Sequence, residues 1–326
     1  MKKSLLLFVC VVLIFSAKAQ VSWVNLDSLY QPLPSTFHVY KSTDDIDGKA
    51  NVMYYAVADL KDKRLDFTSD TTTNRRLTPS EYFEKDSSPL LVVNCSFFSF
   101  ATNQNLNVVV KDGKMVSYND HTTPGKKADT LTYFHPFFGA LGISKSRKAD
   151  VAWLYTDSSK RYPYASQTPV HFFKDSLEDI NFRYVKNVIK DDPTIDGRFS
   201  KWKMKTVIGG GPVLLQNGEI KITNDEERKF SGKAINNPEP RTAIGYTKDN
   251  KLVIWVCEGR SKTATGLSLI QEAKILKDLG CVEAVNLDGG GSSCMLVNGK
   301  ETNNPSSKGV QRPVPSVFLI KAKSLF

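Results

Sequence analysis

Short runs of apolar residues, separated by turn residues, recur along much of the chain. Strand–turn–strand patterns surround Asp112-Gly113, Asn217-Gly218 and Asn298-Gly299, and such dipeptides favour tight hairpin turns. A longer pair of apolar runs, Arg241–Thr247 and Lys251–Cys257, is joined by a three-residue turn. These patterns predict abundant antiparallel sheet.

Helical periodicity is confined to a few segments. Two capping boxes, Thr78 with Glu81 and Ser268 with Gln271, mark helix starts, because each side chain satisfies a free backbone N–H of the first turn. Residues 174–190 carry apolar side chains at helical spacing and predict a further helix.

The helix that follows Ser268 lies between two apolar runs, residues 252–257 and 282–287. A strand, a helix and a second strand predict a parallel pair joined by a right-handed crossover. The expected fold class is therefore α+β: a mixed sheet with antiparallel hairpins, one βαβ crossover at about 252–287, and helices packed on the sheet. Cys257 and Cys281 then lie at opposite ends of neighbouring strands, too far apart for a disulfide bond.

The N-terminus has the pattern of a secretory signal peptide. Two lysines precede an apolar stretch, and Ala17-Lys18-Ala19 forms a small-residue cleavage site. The apolar stretch is too short to span a membrane, and no second long apolar run follows. We expect residues 1–19 to be removed and residues 20–326 to form a single domain, periplasmic or secreted.

The charge balance narrows the class of ligand. The 326-residue chain has a formal net charge of +10, but its lysines and arginines are scattered rather than gathered in a patch. This distribution favours a solvated basic surface over nucleic-acid binding. Its four histidines match no metal-binding spacing. The sequence leaves the oligomeric state and the pairing of the four cysteines beyond residue 19 open.

Several apolar strands end in polar or glycine-rich motifs. The motifs are Asn94 and its neighbours, Gly209-Gly210-Gly211, Glu258-Gly259-Arg260, and Asn286-Leu287-Asp288 with the following Gly289, Gly290, Gly291, Ser292 and Ser293. Ligands bind outside the carboxyl ends of strands in sheets with parallel strands. We therefore expect these motifs to converge on one pocket.

These motifs, in this order, resemble the phosphodiester glycosidase family. The resemblance covers roughly residues 50–320 and is carried by residues 94–98, 209–215, 241–245, 258–260, 266–269, 286–293 and 312–315. Two positions depart from the family pattern: Cys95 stands where glycine is usual, and Glu258 stands where aspartate is usual. The resemblance implies an exported hydrolase that cleaves the glycosidic C–O bond of a sugar-1-phosphodiester, releasing free sugar and a phosphomonoester. Envelope or environmental glycans, including exopolysaccharide, are the implied targets.

The chemistry of that bond assigns roles to the motifs. Cleavage at an anomeric carbon needs carboxyl groups, for which Asp288 and Glu258 are the candidates. A phosphate needs positive charge and hydrogen-bond donors. The candidates for these are Arg260, Arg241, Asn94, Asn286, Gly289, Gly290, Gly291, Ser292, Ser293, Gly210 and Gly211, with Arg312 as a further arginine.

Other interpretations fit the same residues. A non-catalytic binder of anionic polysaccharide would use the arginines and the glycine loop without turnover. A phosphodiesterase would cleave the P–O bond instead of the C–O bond. We expect no cofactor, although the oxygens of Asp288, Asn286 and Glu258 are suitable ligands for calcium or magnesium. The stereochemical course depends on the separation of the two carboxyls, about 5 Å for retention and roughly 6.5–9.5 Å for inversion.

Overall fold

Antiparallel β-sheet dominates the computed structural model, which describes residues 20–126, 129–191 and 198–323. Strands account for 37% of the residues and helices for 14%, so the fold is mostly β. The predicted signal peptide, residues 1–19, lies outside the described residues.

The strands and helices are numbered here in chain order. The strands are β1 Val24–Asn25, β2 Phe37–Ser42, β3 Met53–Asp59, β4 Leu65–Thr71, β5 Leu91–Asn94, β6 Val109–Lys111, β7 Lys114–Ser117, β8 Thr123–Pro124, β9 Tyr133–His135, β10 Phe138–Ile143, β11 Ala149–Tyr155, β12 Tyr164–Ser166, β13 Phe173–Asp175, β14 Ser200–Lys201, β15 Thr206–Gly209, β16 Val213–Gln216, β17 Glu219–Ile220, β18 Arg241–Thr247, β19 Lys251–Cys257, β20 Cys281–Asn286, β21 Met295–Val297, β22 Lys300–Glu301 and β23 Ser316–Ala322. The α-helices are α1 Pro79–Lys85, α2 Phe182–Asp191, α3 Asn224–Glu227 and α4 Leu269–Asp278.

The strands form several antiparallel sheets. The largest has eight strands in the order β1-β2-β3-β19-β18-β20-β16-β17, and a second has seven in the order β14-β12-β11-β10-β15-β6-β7. A five-stranded sheet follows the order β22-β21-β5-β23-β4, and a small one the order β13-β9-β8. Every strand pair in the described residues is antiparallel.

The predicted hairpins are confirmed, and their turns have the expected backbone geometry. Asn217 and Gly218 connect β16 to β17 with φ angles of 53° and 81°. Asn298 and Gly299 connect β21 to β22 in the same way, with 47° and 76°. Two consecutive residues with positive φ are characteristic of the type I′ turn, whose twist matches that of the two hairpin strands. Asparagine and glycine adopt this conformation most readily.

The predicted α+β class is wrong, and so is the directly paired βαβ crossover. Helix α4 does connect β19 to β20, but β18 lies between these two strands and pairs antiparallel with both. The three-residue turn after Thr247 places β18 beside β19, so β20 can only join the other edge of β18. Strands β19 and β20 therefore run in the same direction without touching, within an antiparallel sheet.

This arrangement also separates the cysteines. Cys257 pairs with Arg241 at one end of β18, whereas Cys281 pairs with Thr247 at the other end. Six residues of strand separate the two positions by about 20 Å. All four cysteines in the described residues are free and buried thiols, including Cys95 and Cys294.

The capping boxes are confirmed at both predicted helix starts. Thr78 accepts a hydrogen bond from the backbone of Glu81 at the start of α1, and Ser268 accepts one from Gln271 at the start of α4. The helix predicted over residues 174–190 is only partly present. Its first residues belong to β13, which pairs with β9, and α2 begins at Phe182.

The core lies between the sheets, and the two capped helices cover their outer faces. Leu91, Ile208 and Ile254, from the five-, seven- and eight-stranded sheets, belong to one central cluster of buried side chains. Helix α4 packs Ala273 and Leu276 against the outer face of the eight-stranded sheet. Among the described residues, no helix is long and apolar enough to cross a membrane.

Candidate active site

Three of the predicted strand ends meet at one place. The amide of Asn94, at the end of β5, donates to the carbonyl of Asp288 at 2.5 Å. Gly211, which follows β15, exchanges two hydrogen bonds of 2.8 Å with Asn286 at the end of β20. The hydroxyl of Ser96 donates to the carbonyl of Gly209 at 3.1 Å and joins the β5 and β15 ends. The carboxyl ends of three strands from three sheets thus surround Asp288.

Both asparagines are fully buried and position the backbone. Both polar atoms of the Asn94 side chain bond protein atoms. Its Nδ2 donates to Asp288, and its Oδ1 accepts from the backbone of Cys294 and from Thr242, each at 3.1 Å. Asn286 donates its amide to the carbonyl of Gly211, whereas its Oδ1 is buried without a partner. Only Asn286 therefore has an unused side-chain acceptor.

Gly210 and Gly211 let two backbones approach closely. A Cβ atom at position 210 would collide with the carbonyl of Asn286. Gly211 has a φ of +113°, and a Cβ there would collide with the carboxylate of Glu227. These glycines are therefore required to pack the β15 end against the β20 end, and any contact with a ligand would come in addition.

Asp288 is a half-buried residue whose Oδ2 is inaccessible to solvent and has no hydrogen-bond partner. Burial raises the pKa of its carboxyl to about 6. A hydrogen bond with Ser292, the charges of Arg312 and Lys229 and the amide of Gly289 act in the opposite direction. A carboxyl with one unpaired oxygen, a raised pKa and two cations acting on it is typical of acid–base and nucleophilic sites.

The glycine turn after Asp288 is covered by two guanidinium groups. Gly290 has a φ of +60°, and a Cβ there would lie 3.1 Å from the guanidinium of Arg260. A Cβ at Gly291 would collide with the guanidinium of Arg312, which also donates to Ser292 Oγ at 3.3 Å. The absence of side chains at 290 and 291 therefore makes room for two positive charges beside the turn that follows Asp288.

The turn offers fewer free amides than the sequence predicts. Gly290 donates its N–H to the carbonyl of Pro240, while Ser292 and Ser293 donate theirs to carbonyls within the turn. The hydroxyl of Ser293 donates to Thr242 Oγ1 at 3.1 Å, because the single hydroxyl proton of Thr242 is donated to Asn94. Three of the five predicted nest amides thus donate to backbone carbonyls, and that of Gly289 donates to the Asp288 carboxyl, so the two arginines are the more accessible donors.

Arg260 and Arg241 have different environments. Arg260 is half-exposed, and its Nε donates to Glu239 at 2.6 Å, so the pair covers the turn from the solvent side. Arg241 is buried, and its guanidinium donates to the carbonyls of Leu267 at 3.0 Å and Asn237 at 3.1 Å. The structure therefore places Arg260 beside the glycine turn, whereas the guanidinium of Arg241 holds neighbouring loops.

Glu258 follows β19, two strands away from the strand that leads to Asp288. Two interstrand spacings place the backbones of Glu258 and Asp288 about 10 Å apart. The Oε1 of Glu258 accepts a hydrogen bond from the backbone of Asn304 at 2.9 Å, and burial raises the pKa of its carboxyl. Within the described part of the chain, no hydrogen bond joins Glu258 to Asp288.

Lys229 is a site residue that the sequence analysis does not identify. Its ammonium lies 3.8 Å from the ring centroid of Phe97 and 4.6 Å from that of Phe138, and it donates to Asn107 Oδ1 at 3.1 Å. Burial lowers the pKa of Lys229 to about 7, against the opposing charges of Glu227 and Asp288. In the sequence, Lys229 ends a run of charged residues that looks like a solvated surface, and no local signal distinguishes it.

The turn that carries Lys229 is anchored by a buried carboxyl. Glu227 is fully buried, and its two oxygens accept hydrogen bonds from the backbones of Gly139 and Val213 and from the side chains of Thr223 and Trp153. Burial raises the pKa of Glu227. Four donors on one carboxyl fix the position of this turn relative to the β10 and β16 strands.

Three buried polar atoms around this site have no hydrogen-bond partner. They are Nδ2 of Asn107, Oδ1 of Asn286 and Oδ2 of Asp288. Asn107 lies beside Gly209, and Asn286 bonds Gly211, so one short segment links them. An unpaired buried polar group costs about 1–3 kcal/mol, and a cluster of them indicates a place where a polar ligand completes the hydrogen bonds.

The histidines, cysteines and carboxylates show no metal-binding arrangement in the described residues, since no group of three or more lies close enough to hold an ion. The charges that adjoin Asp288 come from the side chains of Lys229 and Arg312.

The site and the motifs that form it define a class of enzyme. A family model described as phosphodiester glycosidase matches residues 88–321, which is more than half of the chain. The chain belongs to this family of hydrolases, so the prediction from the sequence motifs is confirmed.

Curated relatives match a part of the chain. The N-acetylglucosamine-1-phosphodiester alpha-N-acetylglucosaminidase of Mus musculus is 32% identical over 108 residues, which is 31% of this chain and 21% of the mouse protein. The Homo sapiens enzyme of the same name is 33% identical over 108 residues, with the same coverage of 31% and 21%. An uncharacterized SPbeta prophage-derived protein of Bacillus subtilis is 40% identical over 86 residues, 26% of this chain and 13% of that protein. The matched segments thus span well under two thirds of these relatives.

Solved structures share the fold over most of the chain. The catalytic domain of the zebrafish N-acetylglucosamine-1-phosphodiester alpha-N-acetylglucosaminidase, auto-inhibited by its pro-peptide, superposes with a TM-score of 0.58 at 20% identity, covering 93% of this chain and 88% of that one. A hypothetical protein from Synechocystis gives a TM-score of 0.59 at 14% identity, covering 92% and 63%. At these identities the likeness concerns the fold.

Proposed function

We propose that this protein is an exported hydrolase that cleaves the glycosidic C–O bond of a sugar-1-phosphodiester. One observation carries the proposal: the buried Oδ2 of Asp288 has no hydrogen-bond partner, and the positive charges of Lys229 and Arg312 act on this carboxyl. Such a carboxyl can act at an anomeric carbon, while the neighbouring cations receive the negatively charged phosphate. The proposed products are free sugar and a phosphomonoester, and the proposed targets are envelope or environmental glycans.

The phosphate is proposed to bind beside the glycine turn. The guanidinium groups of Arg260 and Arg312 cover Gly290 and Gly291, and a guanidinium can hold two phosphate oxygens at once. The group that leaves when the C–O bond breaks is a phosphomonoester, which is a good leaving group, so stabilising its charge contributes more than protonating its oxygen. The sugar then occupies the side of Asp288 where Asn107 and Asn286 have unpaired polar atoms.

Glu258 is proposed as the second carboxyl of the reaction. Its backbone lies about 10 Å from that of Asp288, with one strand between them. From backbones at this separation the two side chains can hold their carboxyls at the spacing of an inverting pair, roughly 6.5–9.5 Å, and inversion is the proposed course. Detection of the anomeric configuration of the released sugar by NMR tests this assignment, and net retention would contradict it.

Hydrolysis of N-acetylglucosamine-1-phosphodiesters by the purified protein tests the proposed function. We expect release of free sugar and a loss of about 10²–10⁴-fold in kcat/KM for Asp288→Asn. Asp45→Asn, a substitution of the same chemistry at an exposed aspartate, is the matched control and should retain full activity. No turnover of any compound in a broad panel of sugar phosphodiesters would refute the proposal.

Isotope labelling distinguishes the proposal from its two alternatives. In water enriched in oxygen-18, cleavage of the C–O bond places the label in the sugar, whereas a phosphodiesterase would place it in the phosphate. A non-catalytic binder of anionic polysaccharide would be stabilised by its ligand without turnover, and Asp288→Asn would leave its affinity nearly unchanged.

A further inference from the structure

We propose that Lys229 is a positioning residue of the active site, whose ammonium holds the Asp288 carboxyl in its ionised form. This inference rests on the proposed function and deepens it, because it assigns control of the catalytic carboxyl to a residue outside the motifs. It follows from the enclosure of Lys229, from its unused donors and from the charges around Asp288.

The enclosure of Lys229 is unusual for a lysine. Its ammonium lies against the rings of Phe97 and Phe138 at 3.8 and 4.6 Å and donates one hydrogen bond, to Asn107. An ammonium has three donors, so two have no protein acceptor. In the described part of the chain, no carboxylate lies within ion-pair distance of Lys229. A cation without an ion-pair partner is suited to act on a charge nearby.

The backbone around Lys229 is built to hold it there. The carboxyl of Glu227 accepts four hydrogen bonds and fixes the turn, and Arg228 adopts the left-handed conformation with a φ of 48°. The backbone N–H of Lys229 donates to the carbonyl of Asn224 at 3.2 Å. The stem of Lys229 passes over Gly211, where a Cβ would lie 3.6 Å from its Cδ. The lysine thus reaches the β15–β20 contact from a fixed turn.

The groups that face Asp288 come from several elements. They are the ammonium of Lys229, the guanidinium of Arg312, the hydroxyl of Ser292, the amide of Gly289 and the thiol of Cys95. Burial raises the pKa of the Cys95 thiol to about 11, so it stays neutral. Arginine keeps its charge at all pH values used for enzymes. Among these groups, Lys229 is therefore the cation whose charge changes near neutral pH.

The charges that face Lys229 support the same assignment. They are the carboxyls of Glu227, Asp288 and Asp120. The carboxyl of Glu227 is already satisfied by four donors, so its need for the ammonium is small. The unpaired oxygen of Asp288 has no such donors. The charge of Lys229 acts on Glu227 and on Asp288, and of these two carboxyls only Asp288 has an oxygen without a hydrogen-bond partner.

The pH dependence of kcat/KM for a sugar phosphodiester tests the proposal. Removal of the charge in Lys229→Met should move the limb that reports Asp288 to higher pH by about one unit, because the carboxyl loses a nearby cation. Lys229→Arg keeps the charge, and its Asp288 limb should stay at the wild-type pH. Lys248→Met, at an exposed lysine, is the control and should leave the profile unchanged. An unmoved limb in Lys229→Met, or an equal shift in Lys229→Arg, would overturn the proposal.

A measurement that does not need turnover separates this proposal from the proposed function. The unfolding free energies of the wild type and of Asp288→Asn are measured from pH 4 to 8. The pH dependence of their difference reports the pKa of the Asp288 carboxyl. The midpoint of this difference should lie about one pH unit higher when Lys229→Met is present. An unchanged midpoint would refute the role of Lys229 even in an active enzyme. A shifted midpoint in a protein that hydrolyses no phosphodiester would support it and refute the function.

Discussion

The side chain of Asn94 holds the backbone of Asp288, since its Nδ2 donates to the Asp288 carbonyl at 2.5 Å. Its Oδ1 accepts hydrogen bonds from Cys294 and Thr242, so one amide joins β5, β18 and the loop after Asp288. The backbone N–H of Asp288 donates in turn to the carbonyl of Cys95 at 2.9 Å. The carboxyl of Asp288 is thus held on a backbone fixed at both its N–H and its C=O.

Replacing Asn94 by alanine should weaken both the fold and the site. The substitution leaves buried partners of the amide unpaired, which costs about 1–3 kcal/mol of unfolding free energy. It also frees the Asp288 backbone, so kcat should fall by more than the loss of folded protein explains. Urea denaturation and kinetics on the same preparations measure the two effects.

Asn119→Ala is the matched control for this prediction. Asn119 is also buried and also joins two backbones, those of Val108 and Leu154, but it does not contact the Asp288 loop. It should lose similar stability and keep the kcat of its folded fraction. Equal kcat values for Asn94→Ala and Asn119→Ala would mean that Asn94 only stabilises the fold.

A methyl group at Gly291 should displace Arg312 and leave the backbone intact. Gly291 does not have a positive φ, so alanine fits its backbone, but its Cβ would collide with the guanidinium of Arg312. We expect Gly291→Ala to raise KM for a phosphodiester about tenfold, with a small change in unfolding free energy. Steady-state kinetics and thermal denaturation provide the comparison.

A double-mutant cycle identifies the cause of that effect. If Gly291→Ala acts by moving Arg312, it should add little to the loss already caused by Arg312→Ala. Fully additive effects would show that the methyl group acts on something other than Arg312.

Local sequence signals predict the hairpins and the helix starts well. The Asn-Gly turns and the capping boxes at Thr78 and Ser268 depend on residues within four positions of each other, and each appears in the structure. The fold class was predicted wrongly because strand order is not local. Nothing in the crossover sequence around α4 shows that β18 lies between β19 and β20.

The site is predictable to the extent that it follows strand ends. Asp288, Asn94 and Gly211 follow apolar runs, and hydrogen bonds bring their ends together. Lys229 and Asn107 could not be found in this way, because Lys229 lies against an aromatic ring distant in sequence and Asn107 accepts its hydrogen bond. Arg241 is the opposite case. Its place in a motif predicts phosphate binding, but its guanidinium donates to loop carbonyls, which the sequence does not reveal.

Glu272, on α4, should make the stability depend on pH. It is fully buried, neither oxygen has a hydrogen-bond partner, and burial raises the pKa of its carboxyl to about 8. The unfolded chain releases this proton near pH 4.5, so the native state binds more protons between that pH and 8. The contribution of Glu272 to the unfolding free energy therefore falls as pH rises from 4.5 to 8, and this decrease is complete above pH 8.

Glu272→Gln removes this titration. The variant should equal the wild type near pH 4 and exceed its unfolding free energy by about 1–3 kcal/mol at pH 8. Guanidinium denaturation at pH 4, 6 and 8 measures the difference. Glu84→Gln, at an exposed glutamate, should give no such trend. A constant difference between Glu272→Gln and wild type across the range would contradict the raised pKa.

Substitution of Arg241 and of Arg312 by lysine should have different consequences. The guanidinium of Arg241 contacts the carbonyls of Leu267 and Asn237, a geometry that one ammonium cannot reproduce. Arg241→Lys should lower the unfolding free energy by about 1–3 kcal/mol and leave KM of the folded protein nearly unchanged. Arg312→Lys should keep the stability and raise KM for a phosphodiester, but not for an uncharged aryl glycoside that lacks the phosphate. If Arg241→Lys instead raised KM for the phosphodiester alone at full stability, Arg241 would bind phosphate, as its motif predicts.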